Sequence, residues 1–445
     1  MISANYLIIG TGPIGVFTGK YLLEKNKSIV IIDNSEKQSF QKSIKLNLKD
    51  SNTKGYVYDF DHTALYKNKD TLPISSKAKG GFTKVWGGTL NRASEKEIEK
   101  LGISKEKYLE IYFSILNQIP HIEYDDVYSN FHKNKSKFYE IEKPLLGVGL
   151  NNNETWSSDL LLDKLLKKYD TKIEYLNNIN VTNISKSGKL FQLHTENKII
   201  EVNVEKIFVC SGSFTSTKIA TKMIKGEKFT ISDSELSVWP IFKFGKKIRG
   251  PEEKREINAF SKDKAIAKLL IKFNKRDTEV KCQLYDLNEE SVNTIIERMG
   301  LFSVIFKPLI NLLKDRLFLV FVYKDSFHSK ESLFEISQKK PKIIKIKKQQ
   351  KKLYVMTFFY NFLKLGFFLI PIKYKFKNYG SFHSGNSIVY KNNIEYQFDD
   401  RGVLDNFDNI HFIDSTSIKF IPSGPFTVSS IVNSVNILEK LFNDQ

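Results

Sequence analysis

The chain has 445 residues, a hydrophobic share of 41% and a net charge of +19. This length predicts two domains, and the hydrophobic share excludes an intrinsically disordered chain. The two cysteines, Cys210 and Cys282, exclude a disulfide framework and a cysteine-based metal site, so we expect no bound metal and a cytoplasmic protein.

The chain opens with a pattern that points to a nucleotide cofactor. An apolar segment, residues 6–9, leads into Gly10-x-Gly12-x-x-Gly15, and a helix-forming segment follows over residues 16–25. A second apolar segment then ends in Asp33. This order of parts is typical of a dinucleotide-binding βαβ unit.

Each residue of this pattern has a physical task. Gly10 allows a tight turn, Gly12 lets the backbone approach a pyrophosphate, and Gly15 lets the helix pack close to the strand. The helix N-terminus offers N–H groups to the phosphates, and we count Pro13 and Ile14 of the same loop with the cofactor-binding residues. Asp33 is expected to accept hydrogen bonds from a ribose diol.

The middle of the first half predicts helices and then a β-meander. Residues 94–118 have helical spacing behind a Ser94-x-x-Glu97 capping box, and residues 156–168 form a second amphipathic pattern. Residues 172–209 alternate apolar and polar residues between turns, which predicts a β-meander. It ends in a small-residue turn at Gly212, a second place where backbone can approach a cofactor.

Residues 231–377 mix strands with charged turns and predict a separate sheet domain. Eight lysines lie between Lys339 and Lys352, directly before the apolar residues 354–372. Asn361 and Lys364 near the centre of this apolar stretch argue against a transmembrane helix. It is either a buried helix beside a solvated lysine loop, or a helix lying on an anionic membrane surface with the lysines at the headgroups.

Most of the basic excess follows a compositional bias towards Lys, Asn, Ile, Phe and Tyr. No zinc-ligand spacing, RNA-binding aromatic signature or helix-turn-helix pattern accompanies the lysines, so we expect no nucleic acid partner. The tail returns to an α/β pattern, with a strand at residues 410–413 and a helix at residues 428–441.

Several segments together resemble the glucose–methanol–choline (GMC) family of oxidoreductases, which bind FAD. Besides the opening glycine motif with Asp33, they are residues 80–88, 207–216, 379–385, 409–416 and 421–427. The tripeptides Trp86-Gly87-Gly88 and Ser423-Gly424-Pro425 are most similar to the sequences of the sugar-acting members of bacterial polysaccharide biosynthesis.

The resemblance implies an α/β fold of two parts. A Rossmann-like FAD-binding domain with a parallel sheet and a β-meander would comprise residues 1–230 and 378–445. A smaller α+β substrate domain would comprise residues 231–377. The implied activity is oxidation of an alcohol by hydride transfer to flavin N5, with a sugar or a lipid-linked saccharide as substrate.

The resemblance also assigns roles to residues. His383 would take the hydroxyl proton, Asp414 and Ser415 would bind the ribityl chain or pyrophosphate, and N–H groups at Thr427 would stabilise the reduced flavin. Trp86 either walls the flavin or is an ordinary core residue. The remaining cofactor-binding residues implied are Gly87, Gly88 and Gly212.

The chain departs from the family pattern in two places. One residue, Ser384, separates His383 from the next glycine where the family has two, and Gly424 stands where the family has a second His or Asn before Pro425. Two alternatives therefore stay open: a sterol- or polyprenyl-alcohol oxidoreductase, and an FAD-binding scaffold without catalysis. Peripheral attachment to the inner face of the membrane is the alternative to a purely cytoplasmic location.

Overall fold

The fold is known from a computed structural model. It describes residues 1–35, 59–60, 74–84, 86–123, 139–149, 155–234, 236–244, 269–275, 278–286, 308, 316–336, 341–348, 355–370, 383–424 and 426–443. The helices in these residues are α1 (Pro13–Glu24), α2 (Glu95–Leu101), α3 (Lys105–Leu116), α4 (Ser158–Lys168), α5 (Ser213–Met223), α6 (Val355–Lys364) and α7 (Phe426–Asn443).

The strands of the first half are β1 (Ile2–Ser3), β2 (Tyr6–Ile9), β3 (Ile29–Ile32), β4 (Asp59–Phe60), β5 (Ile74–Ser75), β6 (His121–Glu123), β7 (Tyr139–Glu142), β8 (Leu145–Gly147), β9 (Ile173–Leu176), β10 (Asn183–Ser187), β11 (Leu190–His194), β12 (Ile199–Asn203) and β13 (Lys206–Val209). Those of the second half are β14 (Lys228–Asp233), β15 (Leu236–Lys243), β16 (Leu269–Lys275), β17 (Thr278–Asp286), β18 (Leu317–Lys324), β19 (Lys330–Ile336), β20 (Pro341–Lys348), β21 (Phe367–Leu369), β22 (Ser384–Lys391), β23 (Ile394–Gln397) and β24 (Ile410–Phe412).

A five-stranded parallel sheet, in the order β24-β13-β2-β3-β9, forms the centre of the first part. Its middle strands are apolar throughout because both faces are covered. Ile8 and Phe208 face the core with α1, α3, α4 and α7, whereas Leu7 and Val209 face the core with α5 and the meander. The carboxyl ends of β2, β3, β13 and β24 lie along one edge of the sheet.

The predicted β-meander is present but shorter than expected. It comprises β10, β11 and β12, with β1 added in parallel to β12. The flanking segments β9 and β13 instead pair with β3 and β2 in the parallel sheet. The predicted helix over residues 94–118 is likewise two helices, because Gly102 takes a φ of 72° after α2 and Ser104 caps α3.

A six-stranded antiparallel sheet, in the order β21-β15-β18-β17-β16-β7, has two different faces. One face packs in an apolar cluster that contains Cys282, Val320 and Val322. The same cluster contains Phe362 of α6 and Leu365, the residue after α6. The strand alternation puts the buried Lys281, Gln283 and Tyr285 on the other face, together with Tyr323. This second face is polar and aromatic.

A second antiparallel sheet, β20-β19-β14-β22-β23, connects the chain before residue 348 with the chain after residue 383. Strands therefore pair across the predicted domain limits at residues 230 and 377, which stay a prediction. The lysine cluster is a strand over residues 341–348 rather than a loop, and it lies at the edge of this sheet. Its register places Lys342 opposite Glu335 and Lys347 opposite Glu331, and lysines are common on edge strands because they oppose aggregation.

The apolar residues 354–372 do not form one long helix in the described part. The helix α6 ends at Lys364, and Gly366 with a φ of 77° turns the chain into β21. Among the described residues, no helix combines the length and apolar character needed to cross a bilayer.

Candidate functional site

The opening glycine motif makes two close backbone contacts and leaves one open space. A Cβ added to Gly10 would lie 2.4 Å from the Cys210 carbonyl oxygen, and one added to Gly15 would lie 2.0 Å from the Gly10 carbonyl oxygen. These glycines let β2, α1 and β13 approach one another. A Cβ on Gly12 would meet nothing within 4 Å.

Two helix N-termini lie at the ends of the neighbouring strands β2 and β13. Gly12 caps α1 and Gly212 caps α5, and neither helix has a side-chain cap or an acidic residue in its first turn. Pro13 is the first residue of α1, as its fixed φ favours. Gly212 has a φ of 84°, and a Cβ on it would also meet nothing within 4 Å.

Asp33 follows β3 and is held by the opening glycine loop and by its own turn. Its carboxylate accepts hydrogen bonds from the Thr11 hydroxyl and from the Ser35 N–H, the latter at 3.1 Å. Burial raises the pKa of Asp33 to about 7, although donated hydrogen bonds oppose the shift. Asp33 therefore lies where the motif predicts, and its contact with a ribose stays a prediction.

The second glycine-rich stretch, residues 80–88, packs directly on the first. Gly81 begins a short 3₁₀ turn, and its Cβ position lies 3.4 Å from the Cα atom of Gly12. The Gly80 N–H donates to the Thr11 hydroxyl at 3.1 Å, and the Ser158 hydroxyl donates to the Thr11 carbonyl at 3.0 Å. The two stretches that the sequence separates by about 70 residues thus form one surface.

Trp86 has a clear packing role. Its indole Nε1 donates to the Trp156 carbonyl at 2.6 Å, and the two indole rings lie 6.0 Å apart. Of the two glycines that follow, Gly87 is half-buried, and Gly88 takes a φ of 68° where a side chain would meet Thr155 at 3.1 Å. These contacts fit the reading of Trp86 as a core residue, while a flavin contact stays a prediction.

Asp414 joins the C-terminal block to the turn before α5. Its Oδ2 accepts from the Gly212 N–H at 2.8 Å and from the Ser216 hydroxyl at 2.5 Å. Its Oδ1 accepts from the N–H and the hydroxyl of Thr416. Burial raises the pKa of Asp414, and these four donors counteract that rise. The Asp414 carboxylate therefore positions the turn at Gly212, and direct contact with a cofactor stays a prediction.

Ser415 fixes the strand that begins beside His383. The Ser415 carbonyl accepts from the Asn386 N–H at 2.9 Å, and a Cβ on Gly385 would lie 2.2 Å from the same oxygen. The Ser384 hydroxyl lies 2.6 Å from that of Ser213, the first residue of α5. The block that contains His383 is thus held against the loop at Ser415 and against the N-terminus of α5.

His383 lies between two aromatic rings. Its imidazole stacks on Tyr323 of β18 at 5.1 Å between centroids and contacts Phe426 of α7 at 5.4 Å. Burial lowers the pKa of His383 to about 4, so the ring is neutral at pH 7. Thr427, predicted to face the flavin, is the next residue of α7 and is half-buried.

Thr11, Ser158 and Tyr323 contribute to the site although no motif identified them. Thr11 occupies a variable position inside the glycine motif, and Ser158 was assigned only to a helix. Tyr323 lies in β18, which is apolar on both faces as far as Val322, so the strand shows no alternation that would have singled out Tyr323. Their roles depend on contacts between distant segments.

The described residues fit a dinucleotide such as FAD. Two helices with glycine N-caps begin at the carboxyl ends of adjacent strands, and a side chain at either cap would meet nothing within 4 Å. A phosphate group suits two such N-termini because their N–H groups and helix dipoles favour negative charge. The site lies at the carboxyl edge of a parallel sheet, as ligand sites of this architecture do.

Comparisons with known proteins give a match among solved structures. No family model and no curated protein matches the chain. A solved structure, pyridoxine 4-oxidase from Mesorbium loti, matches with a TM-score of 0.62 and 9% identity over 99% of both chains. At that identity the likeness shows the fold alone: the chain has the fold of pyridoxine 4-oxidase, a GMC-family oxidoreductase, and the predicted α/β architecture is confirmed.

Proposed function

We propose that the protein is an FAD-dependent oxidoreductase that oxidises an alcohol, with His383 as the base. The observation that carries the proposal is the pair of open, glycine-capped helix N-termini at Gly12 and Gly212, to which His383 is connected through Ser384 and Ser213. The fold of pyridoxine 4-oxidase supports the same coarse activity.

In this proposal the opening motif, the second glycine stretch and the loop at Asp414 hold FAD. The bound flavin supplies the hydride acceptor. His383 accepts the proton of the substrate hydroxyl, because burial keeps its imidazole neutral, and Tyr323 and Phe426 fix the plane of the ring.

For the substrate we propose a sugar or a lipid-linked saccharide, as in polysaccharide biosynthesis. The support is the likeness of Trp86-Gly87-Gly88 and Ser423-Gly424-Pro425 to sugar-acting GMC members, together with the polar sheet face that carries Gln283 and Tyr285. Sterol and polyprenyl alcohols are the second substrate class, and a scaffold that binds FAD without turnover is the alternative outside enzymes.

Anaerobic mixing tests the proposal. The FAD-loaded protein is mixed with sugars, nucleotide- and lipid-linked sugars, sterols, polyprenols and pyridoxine. Pyridoxine is included because the chain shares the fold of pyridoxine 4-oxidase. We expect one class to bleach the flavin, and His383→Asn to slow the bleaching about 10²–10⁴-fold. His194→Asn is the control, because His194 lies in the meander beside Ser185. Bleaching that His383→Asn leaves unchanged would exclude His383 as the base.

We further propose that an apolar patch rests on an anionic membrane. The patch is formed by Phe244, Tyr360, Leu363 and Phe368. These side chains are 37–56% exposed, and the Phe244 and Phe368 rings lie 6.2 Å apart. The Lys364 ammonium lies 4.5 Å from the centroid of the Tyr360 ring, at the border of the patch. Basic residues also follow the patch in the sequence: Lys246, Lys247, Arg249, Lys373, Lys375 and Lys377. Exposed aromatic rings beside cations suit an anionic interface.

Sedimentation with vesicles tests the membrane contact. We expect binding to vesicles that contain phosphatidylglycerol and much weaker binding to pure phosphatidylcholine. The double variant Phe244→Ser/Phe368→Ser should weaken binding by at least about tenfold, because each buried phenylalanine contributes roughly 1.5–3 kcal/mol. Phe113→Ser is the control, since Phe113 is 57% exposed on α3. Equal binding of the double variant would refute the contact.

A further inference from the structure

A buried ion pair joins the two parts of the molecule beside α7. Lys281 of β17 is 9% exposed and Glu97 of α2 is 1% exposed, and the Lys281 ammonium donates to Glu97 Oε2. Glu97 Oε1 accepts from the N–H and hydroxyl of Ser423 at 2.7 and 2.9 Å. Burial alone would raise the pKa of Glu97, but the Lys281 charge and the hydrogen bonds from Lys281, Ser94 and Ser423 together lower it. Glu97 is therefore ionised at neutral pH and pairs with the Lys281 ammonium.

The Lys281 side chain occupies the space that a side chain on Gly424 would take. A Cβ on Gly424 would lie 2.5 Å from Lys281 Cδ and 2.7 Å from its Nζ. Gly424 lies two residues before Phe426, the first residue of α7. The ammonium is thus held at the N-terminal end of α7.

The same lysine adjoins the neighbourhood of His383. Lys281 pairs directly opposite Tyr323 in the β17–β18 register, so the two side chains lie on one face of the sheet. Tyr323 stacks on His383, which in turn contacts Phe426. Lys281, Tyr323, His383 and the start of α7 therefore enclose one region.

Stability alone gives little reason for such a pair. Removing two charges from water costs several kcal/mol per ion, and well-packed apolar residues of similar volume are often as stable. A cation that is buried at this cost, next to the neutral His383, suggests a role in the chemistry of the enclosed region.

We propose that Lys281, held by Glu97, supplies the positive charge that stabilises negative charge on the flavin ring at the start of α7. It would do so in place of a side chain at residue 424, and together with the N–H groups of the first turn of α7. This role rests on the proposed FAD-dependent function.

Sulfite is a probe of this charge that needs no substrate. Its sulfur forms a bond to flavin N5, and the displaced electron pair places negative charge on the N1–C2=O side of the ring. We expect Lys281→Met to raise the dissociation constant of sulfite about tenfold and to lower the midpoint potential of the flavin, and Lys281→Arg to restore both. Glu97→Gln should act in the opposite direction, because it leaves the Lys281 charge uncompensated.

Two further variants control the test. Lys440→Met removes the same charge from the other end of α7, where Lys440 pairs with Asp400 at 3.0 Å, and should change neither quantity. If Lys281→Met fails to fold, Gly424→Ala replaces it, since the added methyl group displaces the ammonium and should also weaken sulfite binding. Bound FAD with unchanged sulfite affinity in Lys281→Met and in Gly424→Ala would overturn the role of Lys281 and leave the proposed function standing. A protein that binds no FAD would overturn the proposed function as well.

Discussion

The protonation state of His383 is set by its packing. Tyr323 and Phe426 surround the ring, and the resulting burial lowers its pKa to about 4. A neutral imidazole is ready to accept a proton, and it becomes protonated and inactive only when the pH falls through this pKa. The usual histidine value of about 6.5 would place that loss near neutral pH.

We therefore expect the pH profile of kcat/KM for alcohol oxidation to stay flat from neutral pH down to about pH 5. Activity should then fall as the pH approaches 4. Tyr323→Ala opens the ring to water and should move the acidic limb towards 6.5, because the burial that depresses the pKa is lost. An acidic limb already near 6.5 in the wild type would contradict this account of His383.

At the scale of elements, the glycines of the opening motif have separable tasks. Gly15 is required for packing, since a Cβ there would lie 2.0 Å from the Gly10 carbonyl oxygen. Gly12 faces open space and has a φ of −57°, which any residue tolerates. The fold requires Gly15, whereas the proposed cofactor would require Gly12 of the same loop.

Gly15→Ala and Gly12→Ala form a matched pair. Gly15→Ala should destabilise the FAD-free protein by about 1–3 kcal/mol or more, through overpacking. Gly12→Ala should cost no more than about 1 kcal/mol, but it should weaken FAD binding at least about tenfold by filling the cradle. Urea unfolding and flavin fluorescence titration measure the two effects. Equal FAD affinity in Gly12→Ala would place the cofactor elsewhere.

The elements that the sequence predicted best are those with local signals. The glycine motif, the Ser94–Glu97 capping box and the helices behind them depend on residues a few positions apart, and all of them are present in the structure. The Lys281–Glu97 contact joins residues 184 positions apart, so no local pattern contains it. The lysine cluster was interpreted as a solvated loop or as a membrane-facing segment. Its charge concealed a strand, which residues 341–348 form at the edge of a sheet.

At the scale of the whole molecule, the parallel sheet and the six-stranded sheet each have one buried thiol. Cys210 follows β13 in the parallel sheet, and Cys282 lies in β17 under α6. Burial raises the pKa of both thiols. Since a thiol reacts as its thiolate, neither should react in the folded protein.

We expect a thiol reagent at pH 8 to modify no cysteine in the native chain and two per chain in denaturant. The Cys210→Ser and Cys282→Ser variants each keep one thiol, so they show separately whether the six-stranded sheet and the parallel sheet are open to the reagent. Fast reaction of Cys282 in the native protein would show that the six-stranded sheet is open to solvent.

The central claim is that the edge formed by Gly12, Gly81 and Gly212 holds FAD. The visible absorbance spectrum of the purified protein, recorded as isolated and after incubation with FAD and gel filtration, tests it most directly. We expect flavin bands at one FAD per chain, and their loss in Gly12→Ala while the protein stays folded. A folded wild-type protein that shows no flavin bands even after reconstitution would contradict it.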